Sequence, residues 1–177
     1  THYEDIEDRC AQLLSEDRVV ARCKGRMEFG ARALGNRSIM ANPSSWGTIQ
    51  MINAMVKKLD FWMPFVPSMI AEAADEYLVD YKKAKAPYMI LAYATQPKNV
   101  MNMIAATHPY DKSCRPQVVE KDWNPDYHKI ITKYRELTGK GVILNTSFNL
   151  HGFPIVYRPS EALAVFDKSG LHYLAVG

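Results

Sequence analysis

Long apolar runs, paired cysteines and strong charge are all missing from this 177-residue chain. No apolar stretch approaches the roughly 20 residues that a helix needs to cross a bilayer. The three cysteines, Cys10, Cys23 and Cys114, are odd in number and show no CxxC spacing, so neither a disulfide framework nor a zinc site is supported. The histidines are equally scattered. His2 is terminal, while His108, His128, His151 and His172 share no ligand spacing, and no metal site is expected. The net charge of +3 permits an anionic ligand but gives no reason to expect tracking along a polynucleotide. No repeat or low-complexity segment stands out. Reduced thiols and the lack of a spanning segment fit a cytoplasmic protein.

What is present is ordinary globular composition, 47% apolar and 23% charged, in a chain long enough for one domain, residues 1–177, with a sizeable core. Helix and strand signals alternate, which predicts an α/β domain with a mixed sheet. Ile6, Cys10, Leu13 and Leu14 open on a helical pattern, and the start at Thr1 reads as a piece of something larger. Arg18 to Lys24 reads as a strand, and Ile49, Ile52, Met55, Val56 and Leu59 as a helix with Lys57 on or beside it. Ser68 is expected to cap a helix through Tyr77, and Pro87 to Tyr93 to form a buried strand. The segment from Thr95 to Trp123 is expected to be a mobile loop. Asn124-Pro125-Asp126 starts the clearest helix, with Tyr127, Ile130, Ile131, Tyr134 and Leu137 on one face and Gly139 at its end. Gly141 to Leu144 predicts a short inner strand. Ser160 is expected to cap a last helix, and Leu171 to Val176 to form a closing strand.

The richest segment runs from Gly25 to Ser38. It places Arg26, Arg32 and Arg37 among Gly25, Gly30 and Gly35, directly after the first strand. Glycine lets the backbone take positive φ, and arginine offers a rigid fork of donors that matches phosphate or carboxylate oxygens. Gly30 to Gly35 followed by Asn36-Arg37-Ser38 approaches the P-loop pattern. It fails because Asn36 is an extra residue before the basic one and because Pro43 follows where a helix should run. The dinucleotide fingerprint fails on glycine spacing. Taken singly, each arginine is a solvated surface group or a partner for Glu28. Taken together, the three repel one another, and a polyanion relieves that repulsion. Glu28 is expected to orient an arginine. Asn145-Thr146-Ser147-Phe148-Asn149, after Val142-Ile143-Leu144, reads either as turn and capping groups or as a site. Ligands of open α/β sheets bind beyond the carboxyl ends of strands, which favours the site.

The Gly25 to Ser38 segment resembles the signature of the NodU/CmcH-type carbamoyltransferases, Gly-Arg-Met-Glu-Phe-Gly-Pro-Arg-Ala-Leu-Gly-Asn-Arg-Ser, with Ala31 in place of proline. Further blocks follow in the family's order: Val56-Lys57 with Pro64-Phe65-Val66-Pro67-Ser68; Asp111-Lys112-Ser113-Cys114-Arg115-Pro116-Gln117; and Leu144 to Asn149 with Pro154-Ile155-Val156. The resemblance implies a YrdC-like domain with a twisted mixed sheet flanked by helices, the carboxyl-terminal part of a two-domain enzyme. Such a domain is expected to join carbamoyl phosphate and ATP into carbamoyl-adenylate. An amino-terminal, metal-bearing domain then passes the carbamoyl group to a hydroxyl acceptor. By resemblance, Arg32, Lys57 and Arg115 are the catalytic cations. Arg26, Asn36, Arg37, Ser38, Asn145, Thr146, Ser147 and Asn149 are the substrate- and ATP-binding groups. Magnesium enters as the counterion of ATP, with no metal bound by this domain. The chain departs from the pattern at Leu59 and Met63, where the family has arginines, at Asp60 for glutamate, and at Lys112 for glycine. A non-catalytic nucleotide- or RNA-binding module of the same fold is the alternative, and its mark is RNA affinity that falls steeply with salt.

Overall fold

Alternating apolar residues in short β-branched runs and amphipathic helices between them give a sheet covered on both faces. The structure, a computed structural model, describes residues 1–57 and 63–177. The chain runs α1 (Ile6–Ser15), β1 (Val20–Cys23), β2 (Arg37–Ala41), α2 (Trp46–Met55), β3 (Val66–Ile70) and a short α3 (Ala74–Tyr77). It continues with β4 (Tyr93–Ala94), β5 (Ser113–Cys114), β6 (Gln117–Val119), α4 (Pro125–Thr138), β7 (Val142–Ser147), α5 (Pro159–Lys168) and β8 (Tyr173–Val176). The main sheet has the order β6-β3-β7-β2-β1-β8 and is mixed. The β1/β8 and β3/β6 pairs are parallel, and the three pairs between them antiparallel. Among the described residues no helix is long and apolar enough to cross a membrane.

Strand periodicity divides the core. Val20 and Met40 point to the side of α1 and α4, where they meet Leu14, Tyr127, Ile130, Ile131 and Tyr134. Ala21, Cys23, Ile39 and Ala41 point to the other side, with Ile52, Phe148 and Ala162. Helix α4 forms for the reasons its sequence gives. The Asn124 side chain accepts the Tyr127 N–H, Pro125 occupies the first turn, and Gly139 ends the helix in the left-handed region at φ 75°. Leu137, however, is exposed in the last turn of the helix.

Several expected elements are built differently. Ser68 is no helix cap. It lies inside β3, fully buried, and its hydroxyl donates to Gln117 Oε1 at 2.6 Å. Pro87 to Tyr93 is irregular, with Met89 at φ 60° and Ile90 exposed, and only Tyr93–Ala94 pairs as a strand. Thr95 to Trp123 is no featureless loop: it carries a 3-10 segment, Pro97–Ala106, whose residues 103–106 are buried, and it supplies β5 and the sheet strand β6. Arg158, and not Ser160, stands at the start of α5, where the Glu161 carboxylate accepts its backbone N–H. Helix α2 stops at Met55, which leaves Lys57 just past its end, and Leu59 and Asp60 lie outside the described residues.

Candidate active site

The glycine–arginine segment is a long excursion between the antiparallel strands β1 and β2, pinned at its base where Lys24 N–H donates to Asn36 O at 3.1 Å. Gly25, Gly30 and Gly35 take φ of 55°, 122° and 120°, values that a side chain would strain. At Gly35 the backbone also lies against α4: a Cβ there would sit 2.5 Å from Tyr127 Cγ. Glu28 holds the excursion in shape. Its Oε1 accepts the N–H groups of Leu34 and Asn36 at 2.7 Å and of Arg37 at 3.2 Å, so it organises backbone and not an arginine. Below lies a charged cluster that local pattern does not reveal. Buried Arg22 donates to Gly35 O at 2.6 Å and pairs with Glu7 at 3.3 Å, and Lys24 bridges Glu7 at 2.7 Å and Asp126 at 2.9 Å.

The three loop arginines part company. All five N–H groups of Arg37, a residue only 4% exposed, go to the backbone carbonyls of Lys24, Gly25, Asn36 and Tyr157. Its donors are spent, and it latches β2 to the segment before α5. Arg26 is exposed and lines a shallow depression with Met27, Tyr157 and Arg158. Asn36 and Ser38 are also structural. The Asn36 amide donates to Arg26 O at 2.8 Å, and the Ser38 hydroxyl accepts Gly35 N–H at 3.0 Å. Only Arg32, exposed and without a hydrogen-bond partner among the described residues, reaches the main cleft.

That cleft has a volume of about 660 Å³. Its walls bring together Arg32, Lys57, Arg115 and the Asn145, Thr146, Ser147 and Asn149 side chains, from four separate stretches of sequence. Met63 lines it too, an apolar wall where the resemblance gives an arginine. The polar run is delivered by the carboxyl end of β7, an inner strand. Asn145 is fully buried: its Nδ2 donates to Ala33 O and to Gln117 Oε1, both at 3.0 Å, which ties the arginine segment to β6, while Oδ1 has no partner among the described residues. Gln117 completes the tie by donating to Leu34 O at 2.9 Å. Lys57, 4% exposed, donates to Ser147 Oγ at 3.1 Å and to Asn149 Oδ1 at 2.5 Å. Burial lowers its amine to about 8, still cationic near neutrality. Cys114 also lines the cleft, but burial pushes its thiol up to about 12, so it stays protonated. No carboxylate lines the cleft among the described residues.

Sequence reasoning passed over two further wall residues, His108 and His151. His108 Nδ1 lies 3.2 Å from Asp111 Oδ1, an ion-pair distance. A lone histidine in a cleft wall has no ligand spacing for the sequence to show. Three cationic side chains and no described carboxylate in its walls suit the cleft to an anion.

An uncharacterized protein of Methanocaldococcus jannaschii is 38% identical over 156 residues, 88% of this chain and 25% of the relative. The nodulation protein NolNO of Sinorhizobium fredii is 35% identical over 98% of this chain and 26% of its own length. The 3'-hydroxymethylcephem-O-carbamoyltransferase of Amycolatopsis lactamdurans is 31% identical over 96% of this chain and 32% of its own. The chain therefore spans about a quarter to a third of the curated relatives it matches. Among solved structures, Escherichia coli YciO superposes with a TM-score of 0.66 at 12% identity, covering 99% of this chain and 79% of that one. Full-length HypF, solved in a phosphate- and nucleotide-bound form, gives 0.61 at 15% identity, over 94% of this chain and 20% of that one. Both likenesses are of fold, the YrdC-like mixed sheet flanked by helices. The family described as carbamoyltransferase C-terminus matches residues 11–177, and the chain belongs to it.

Proposed function

We propose that this domain binds carbamoyl phosphate and ATP in the β7 cleft and forms carbamoyl-adenylate there. Carbamoyl transfer to a hydroxyl acceptor is completed by an amino-terminal, metal-bearing domain of a longer enzyme. The observation that carries the reading is the convergence of Arg32, Lys57 and Arg115 on one cleft that no described carboxylate lines. Three cations in a concave wall focus potential on a polyanion. The chemistry needs that more than a protein nucleophile. Water hydrolyses carbamoyl phosphate to carbamate and phosphate, and a carbamate oxygen then attacks the α-phosphorus of ATP as its bond to pyrophosphate breaks. Each step shifts charge among phosphate oxygens, so positioning and electrostatic stabilisation lower the barrier.

The residues divide the work by their chemistry. The forks of Arg32 and Arg115 suit bidentate phosphate contact, and Lys57 acts as a point charge. Thr146 offers a hydroxyl donor to phosphate oxygens, while the Ser147 hydroxyl accepts from Lys57 and donates to Asn149 Oδ1 at 2.6 Å, which holds the amine in place. Asn145 Oδ1, buried and without a partner among the described residues, accepts from the carbamoyl NH2. Asn149 is a positioning residue: its Oδ1 accepts from both Lys57 and Ser147, and its Nδ2 anchors on Phe153 O at 2.6 Å. Magnesium arrives with ATP. The larger two-domain enzyme is supported by the fraction of its relatives that this chain spans.

Titration calorimetry with ATP, with carbamoyl phosphate and with both tests the reading. Binding of each, with pyrophosphate released only when both are present, is the expected result. No heat from any mixture, or RNA binding with a steep salt dependence in its place, would overturn it.

A further inference from the structure

Lys57 is the one buried lysine among the described residues. Lys24, Lys85, Lys129 and Lys133 each pair with a carboxylate, whereas Lys57 is buried in the cleft wall and its only described partners are the neutral Ser147 hydroxyl and Asn149 amide oxygen. Around it the cleft presents further cations and imidazoles, Arg32, Arg115, His108 and His151, and no described acid. A desolvated amine among like charges, with no counter-ion among the described residues, has the arrangement that makes lysine a nucleophile. It also stands where a carbamoyl donor is proposed to bind.

We propose that the Nζ of Lys57 is a carbamoylation site, which takes up isocyanic acid, the species that carbamoyl phosphate releases in water, and becomes a neutral urea that no longer holds phosphate. The inference rests on the reading of the cleft as a carbamoyl phosphate site. In the step, the amine lone pair forms a bond to the carbon of H–N=C=O, and the C=N π pair moves to nitrogen. The proton lost from Nζ passes to that nitrogen, giving Nζ–CO–NH2 with no leaving group. Cys114, the thiol in the same wall, does not compete, because burial holds it protonated. ATP phosphates over the amine keep it charged and protect it, so the modification falls on the cleft when nucleotide is absent.

The lowered Lys57 value sets the expected selectivity. At pH 8 about half of this amine is free, against under about 1% of an ordinary lysine near 10.4. A weaker base is also a poorer nucleophile, which cuts the advantage to about tenfold on the scale known for thiols. The full chain is incubated with potassium cyanate at pH 8, with and without ATP, and peptide mass spectrometry follows addition of one HNCO at Lys57 and at the exposed Lys98 and Lys121. Labelling of Lys57 about ten times faster than the exposed pair, and slowed by ATP, is the expected outcome. Labelling no faster than at the exposed pair overturns the inference. Fast labelling that ATP leaves unchanged sustains the reactive amine and counts against the phosphate reading of the cleft.

Discussion

Raising the pH should weaken phosphate binding while it strengthens the unliganded fold, because both effects pass through Lys57. Burial lowers this amine from 10.5 to about 8, a difference of roughly 3 kcal/mol at about 1.36 kcal/mol per unit. The sign follows from proton counting. Between about 8 and 10.5 the unfolded lysine holds its proton and the folded one has released it, so stability of the free protein rises with pH through that window. A bound phosphate reverses the preference, since it interacts with the charged amine. Affinity for ATP or pyrophosphate should be flat to about pH 7.5, above the second ionisation of phosphate near 6, and then fall toward tenfold per unit beyond about 8. Lys57→Met should bind more weakly, with neither the affinity slope nor the stability slope. Calorimetry and urea melts on both proteins from pH 7 to 9.5 measure the pair of effects. A native affinity flat across that range, or an identical slope in Lys57→Met, would refute the role given to the amine.

Two further substitutions separate binding from scaffolding. Arg37→Ala removes the guanidinium donors to the carbonyls of Lys24, Gly25 and Tyr157 and should cost about 3 kcal/mol or more in urea unfolding; Arg32→Ala should change stability by no more than about 0.5 kcal/mol yet weaken ATP binding in calorimetry. Gly35→Ala forces a Cβ to within 2.5 Å of the Tyr127 ring at φ 120° and should lose at least about 2 kcal/mol; Gly30→Ala, at a similar φ with open space, should lose about half as much, read as denaturant midpoints.

The parts of this fold that rest on neighbours in sequence were legible, and those that rest on distant partners were not. Helix α4 carries its own cap, proline, apolar stripe and glycine stop within residues 124–139, and each does what its chemistry implies. Ser68 has the chemistry of a helix cap and equally that of a buried hydroxyl, and its partner Gln117 is 49 positions away. Strand β6 is three residues long, too short to show alternation, and hides in a polar stretch. Pro87 to Tyr93 is apolar enough for a strand, but Met89 turns the backbone into the left-handed region. The site shows the same division. The glycine-rich segment does take positive φ where glycine stands, and its Arg32 lines a cleft with Lys57, Arg115 and the Asn145 to Asn149 run. Arg37 looks no different in sequence from Arg32. Tyr157, 120 positions away, supplies the carbonyl that completes its partners.

The central claim is that phosphates sit against Arg32, Lys57 and Arg115 at the end of β7, and not on the Arg26 side of the loop. A crystal structure of the domain with a non-hydrolysable ATP analogue and carbamoyl phosphate tests it most directly. The account predicts phosphate density within hydrogen-bond reach of all three cations, with the carbamoyl nitrogen on Asn145 Oδ1. Phosphate density beside Arg26 and Arg158, with the β7 cleft empty of ligand, would contradict it.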